Sequence, residues 1–177
     1  MRMFFALLLE NHAKNFVFKE MGLIQKKCID GRFTTKNNLH VTVEFIGETN
    51  ELELIELQKV LHSISFDGFE VQTTGLGGFY NKASKAILYL GIKTTQALQE
   101  LHLYLKEKLT EQSFVLQDKP FVPHITLARK VQFKEDFLLK TFEFPTMMLT
   151  FSKLSLMESI NLDGELLYRE IDHVNFK

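Results

Sequence analysis

Apolar residues recur every three or four positions in three stretches of the chain. Residues 13–28 carry Val17, Met21, Ile24 and Cys28, residues 50–64 carry Leu54, Leu57, Leu61 and Ile64, and residues 95–110 carry Leu98, Leu101, Leu105 and Leu109. That period predicts three amphipathic helices, each with one stripe to bury against a sheet. Asn50 with Glu53 three residues on reads as a capping box, and Thr94 or Thr95 is placed to cap the third helix. Runs rich in Phe, Val, Ile, Leu and Thr predict strands over 2–9, 39–46, 69–74, 85–92, 121–129, 142–151, 153–160 and 165–172. Asp163-Gly164 marks a hairpin turn between the last two. Gly75-Leu76-Gly77-Gly78 reads as a flexible turn lining a groove. The order of elements predicts an α+β fold with helices backing antiparallel or mixed sheets. No Pro-, Ser- or Gly-rich linker divides the chain, so residues 1–177 read as one domain with two lobes.

Composition narrows the function. Lys and Arg number 21 against 22 Asp and Glu, a formal net charge of −1, which argues against a surface built to grip long nucleic acid. The arginines are only Arg2, Arg32, Arg129 and Arg169, a short list from which to recruit a phosphate ligand. The single cysteine, Cys28, excludes an intrachain disulfide and a multi-cysteine zinc site, and reads as a small apolar residue near a helix end. The opening apolar run stops at Glu10, far short of the roughly 20 residues that cross a bilayer, and has no small-residue cleavage site. It predicts a buried strand. A cytoplasmic protein with no membrane partner is the expectation, and a monomer is favoured.

Two segments echo each other 84 positions apart, Leu39-His40-Val41-Thr42-Val43 and Pro123-His124-Ile125-Thr126-Leu127. Chance would supply about 0.1 His-x-Thr with both other positions apolar in such a chain, so a pair is a signal. On a strand, alternate residues share a face, so each copy presents an imidazole beside a hydroxyl while its apolar residues enter the core. Two such strands across a groove would surround a small anion with two imidazoles and two hydroxyls. Imidazole titrates near pH 6.5, so one ring acting as acid and one as base suits displacement at phosphorus. No metal is required, and no Cys, Asp or Glu cluster surrounds the histidines; no cofactor is expected. A nucleophilic serine elbow and a P-loop are both absent.

With these motifs in hand, the chain resembles the two-histidine phosphoesterases, and more narrowly the RNA 2′,3′-cyclic phosphodiesterases, also called 2′-5′ RNA ligases. The resemblance runs through Arg2–Leu7, Asn38–Glu48, Gly75–Phe79, Pro120–Arg129, Ser152–Leu154 and Tyr168. It implies a bilobal, pseudo-symmetric two-sheet fold with helices outside and a central groove carrying both motifs. It also implies hydrolysis of an RNA or nucleotide 2′,3′-cyclic phosphate to a 2′-phosphate, with ligation of a 5′-hydroxyl end as the reverse reaction. By the same resemblance His40 is the proton donor, His124 the proton acceptor, and Thr42 and Thr126 bind phosphate. The residues alone do not decide which histidine is the acid. Arg129 is a further candidate phosphate ligand, although strict alternation places it on the face opposite the histidines unless the strand ends or bulges there. Alternation puts Glu44 on the His40 face, where a carboxylate would orient the imidazole or repel RNA phosphates and so alter substrate preference. Tyr89 stands where relatives often have Trp. Two alternatives remain: a phosphodiesterase for a small nucleotide such as ADP-ribose cyclic phosphate, and a non-catalytic module that binds nucleotides or RNA ends.

Overall fold

Each apolar stripe becomes a helix, α1 (Asn11–Gln25), α2 (Glu51–Ser63) and α3 (Gln96–Glu111), except that the first ends early and Cys28, expected as its last stripe position, opens a strand instead. The stripes bury as the spacing requires, with Leu98, Leu101, Leu105 and Leu109 of α3 all fully inaccessible, each stabilising by about 1.5–3 kcal/mol over exposure. The capping box of α2 is complete, since Asn50 accepts from the Glu53 amide and the Glu53 carboxylate accepts from the Asn50 amide. Thr95, rather than Thr94, caps α3.

The strands are β1 (Arg2–Leu8), β2 (Cys28–Phe33), β3 (His40–Glu48), β4 (Phe69–Tyr80), β5 (Ala86–Ile92), β6 (His124–Phe133), β7 (Met148–Phe151), β8 (Lys153–Leu162) and β9 (Glu165–Asn175). The computed structural model describes residues 1–80 and 86–177, so Lys85, expected to open the strand over 85–92, lies outside the described residues. The β8–β9 turn is the expected one, with positive φ at both Asp163 and Gly164, as a two-residue hairpin loop of matching twist demands. Three expectations change. Gly75–Gly78 is not a turn but the middle of β4, paired along β5. The strand expected over 142–151 shrinks to Met148–Phe151, preceded by a 3-10 turn at Leu139–Thr141. Finally β2, too polar for its period to show, is held by pairing to β6.

All pairings are antiparallel, and the strand order is β7-β4-β5-β6-β3-β1-β8-β9, with β2 also on β6. The two four-strand halves of that path, β7-β4-β5-β6 and β3-β1-β8-β9, are joined by one bridge between Val41 and Ile125. This is the bilobal arrangement expected, with the halves meeting in a single curved sheet. α2 packs on β8 and β9, α3 on β3, and α1 on β2. The main core lies between sheet and helices, while a smaller cluster of Phe4, Ala6 and Met157 forms on the other face.

Candidate active site

The Val41–Ile125 bridge positions the chemistry. Both residues are fully buried on the helix side, so their neighbours His40, Thr42, His124 and Thr126 project from the opposite face. The antiparallel register sets His40 across from Thr126 and Thr42 across from His124, as a local two-fold would. Pairing is confined to that one bridge, so the two motifs flank it on the same face of the sheet.

Each imidazole is held in the same way. His40 Nδ1 lies 2.7 Å from the carbonyl oxygen of Asn38, and His124 Nδ1 lies 2.6 Å from that of Val122. A carbonyl can only accept, so Nδ1 carries a proton in both rings and Nε2 is left for chemistry. His40 Nε2 is 3.0 Å from Thr42 Oγ1. Asn38 itself is buried, donating to the Leu166 carbonyl and accepting from the Tyr168 amide. It thereby fastens the start of β3 to β9 and delivers Tyr168, whose ring meets His40 edge-on at 5.0 Å beside Phe4. On the other half, Tyr89 and Phe79 flank His124 at 5.2 and 5.4 Å. Asn38, Phe4 and Phe79 received no role from the sequence. The one signal for Asn38 was its place two residues before the histidine, as Val122 is before His124.

Both motifs contain a β-bulge at the same place. Ala6 pairs with Thr42 but Phe5 with Glu44, and Tyr89 pairs with Thr126 but Leu88 with Ala128. One extra residue, Val43 or Leu127, therefore enters each strand, and alternation reverses beyond it. The first bulge overturns the expected placement of Glu44, and the second is the bulge on which the placement of Arg129 turned. Glu44 does not share the His40 face: it is buried towards α3, its carboxylate 3.8 Å from His102 Nδ1, and burial raises its pKa. Arg129 does not point away from the histidines. Its guanidinium acts on His40, His124 and the Tyr168 hydroxyl.

The electrostatics follow from burial and clustered positive charge. Desolvation chiefly, then the proximity of His124, Arg129 and Lys14, pushes the His40 pKa down to about 4. Desolvation, with Arg129, also lowers that of His124. The groove thus holds two neutral imidazoles at neutral pH, where the sequence had suggested one protonated ring. The positive charge that adds to desolvation in keeping His40 neutral also attracts an anion. Among the described residues no group of three or more His, Cys, Asp or Glu is placed to hold a metal, and no helix is long and apolar enough to cross a membrane.

Known proteins share this architecture. The chain is 26% identical over 163 residues to the RNA 2′,3′-cyclic phosphodiesterase of Thermotoga maritima, covering 90% of this chain and 87% of that protein. It is 34% identical over 92 residues to the protein of the same description from Archaeoglobus fulgidus, 52% of each chain. Among solved structures it superposes on E. coli LigT with a TM-score of 0.78 at 20% identity, covering 99% of this chain and 96% of that one. TT0787 of Thermus thermophilus gives 0.81 at 20% identity, covering 99% and 97%. The family model of the 2′-5′ RNA ligase superfamily matches residues 22–162, a span that holds both histidine strands and the bridge between them, and the chain belongs to that superfamily.

Proposed function

We propose that residues 1–177 act as one bilobal enzyme that hydrolyses an RNA or nucleotide 2′,3′-cyclic phosphate to a 2′-phosphate. The observation that carries this reading is the pair of matched strands, each with Nδ1 pinned to a carbonyl so that Nε2 faces the chemistry, that of His40 beside the Thr42 hydroxyl. The names of relatives agree with it: curated RNA 2′,3′-cyclic phosphodiesterases, and a LigT structure solved with 3′-AMP. His124 Nε2 takes a proton from water, the water oxygen bonds to phosphorus, and the P–O3′ bond breaks as the His40 imidazolium protonates the departing oxygen. Thr42, Thr126 and Arg129 hold the non-bridging oxygens. The anionic substrate supplies the charge that returns a proton to His40, so the acid is loaded on binding. Replacing water by a 5′-hydroxyl gives the 2′-5′ ligation product, with His124 again the base and His40 again the acid. A cytoplasmic monomer is the form proposed.

The test is turnover of a 2′,3′-cyclic-phosphate oligonucleotide, with phosphorus NMR identifying the product. His40→Ala and His124→Ala should each lose about 10² to 10⁴ in rate, the scale of a positioned acid or base. Near-wild-type turnover by either variant, or a 3′-phosphate product, would refute the assignment. Saturable nucleotide binding without turnover would favour a binding module instead.

A further inference from the structure

The two histidines lie in unequal aromatic surroundings. Beside His40, Phe4 is only 3% exposed and is sealed by Ala6 and Met157. Phe45, the next ring on that half, is covered by the Arg2 guanidinium at 5.1 Å from its centroid. Beside His124, Phe79 keeps 40% of its surface exposed although it touches two other rings. Tyr89 supports it from behind, with centroids 4.5 Å apart and planes 31° from parallel. Tyr89 is itself fixed, because it pairs with Gly77 across the strands and lies over that glycine. A Cβ there would collide with the ring carbon Cζ and the hydroxyl of the tyrosine. The glycine in the middle of β4 thus lets the tyrosine lie flat and hold the phenylalanine outward.

We infer that Phe79, backed by Tyr89, is the stacking platform for the nucleobase of the nucleotide whose phosphate lies between the histidines. The inference rests on the phosphodiesterase reading and adds where the base goes. A phosphate at His124 Nε2 is one ribose away from its base, and the open ring lies one aromatic contact from that imidazole, at 5.4 Å. A phenylalanine face offers no hydrogen-bond code, so the platform accepts any base, and its share of affinity comes from stacking. Around His40, Phe4 is sealed, Phe45 is covered by Arg2, and the half-buried Tyr168 ring meets the imidazole edge-on, so the open face lies on the His124 half and the substrate binds with its base towards β4 and β5 and its phosphate towards the bridge.

The chain contains no tryptophan, so Phe79→Trp creates a single fluorescent reporter in the full-length protein. Titration with 2′-AMP, ribose 5-phosphate and inorganic phosphate should give saturable quenching with 2′-AMP only. Phe79→Leu, which keeps apolar bulk but has no π face, should weaken 2′-AMP by about tenfold, the scale of one stacked base, and leave phosphate unchanged within about twofold by calorimetry. Equal quenching by 2′-AMP and ribose phosphate, no quenching at all, or equal weakening of 2′-AMP and phosphate in Phe79→Leu would each overturn the platform. Binding is read without turnover, which keeps the two proposals separate. A base-specific quench in a protein that hydrolysed no cyclic phosphate would uphold the platform and sink the hydrolase, and hydrolysis without the quench would do the reverse.

Discussion

Burial of a neutral His40 makes stability depend on pH in a calculable way. An unfolded histidine titrates near 6.5, whereas His40 in the groove titrates at about 4. Between those values the unfolded chain binds a proton that the folded chain does not, so stability is complete above about 6.5 and declines as pH falls towards 4. From pH 7.5 to 5.0 the linkage integral for this one group is about 2 kcal/mol, an upper figure because the residue is only partly shielded from solvent. Other groups titrate in the same window, among them His102 and His124, whose pKa values are also lowered by burial. The measurement is therefore a difference: urea unfolding of wild type and His40→Gln at both pH values. Wild type should lose about 2 kcal/mol more than the variant over that interval. Inorganic phosphate at saturating concentration should reduce the difference, because it favours the protonated ring in the folded state. Parallel pH dependences for the two proteins would show that His40 is not held neutral, and the account of the groove's field would fail with it.

The same shift bears on rate. The descending alkaline limb of kcat should lie at higher pH than that of kcat/KM, because bound substrate raises the acid's pKa; coincident limbs would exclude loading of His40 by the substrate. Glu44→Gln should leave kcat/KM for a cyclic-phosphate oligonucleotide within about twofold, because a carboxylate turned towards His102 meets no substrate phosphate. A larger gain would return Glu44 to the groove. Gly77→Ala should cost about 1–3 kcal/mol in urea unfolding, since Tyr89 must leave its place, and should raise KM more than it lowers kcat. Arg129→Ala should cost about 1.5–3 kcal/mol in kcat/KM, the scale of hydrogen bonds to a charged group, despite the residue's place beyond the bulge.

Local pattern determined a good deal. Helices were legible because a buried stripe must repeat with the helical turn, as in Leu98, Leu101, Leu105 and Leu109. The hairpin was legible because Asp163-Gly164 suits positive φ at both positions. The pairing of imidazole with hydroxyl was legible because a strand sends His40 and Thr42 the same way, and the structure keeps them 3.0 Å apart. Alternation holds only while each residue faces one partner, and the sequence carries no mark of where a neighbouring strand will skip. The extra residues at Val43 and Leu127 exist because β1 and β5 pair past them. Those distant strands, and not the motifs, turned Glu44 towards α3 and Arg129 into the groove. The glycines of β4 follow the same rule: alone they suggest a turn, and only the Tyr89 ring lying across Gly77 explains why a side chain there had to be absent. β2 illustrates the same limit, since a short polar segment becomes a strand only when β6 satisfies its backbone. Element type and the identity of the reacting groups are short-range properties written within a few residues, while the face each later residue presents and the field around His40 depend on contacts that only the folded chain brings together.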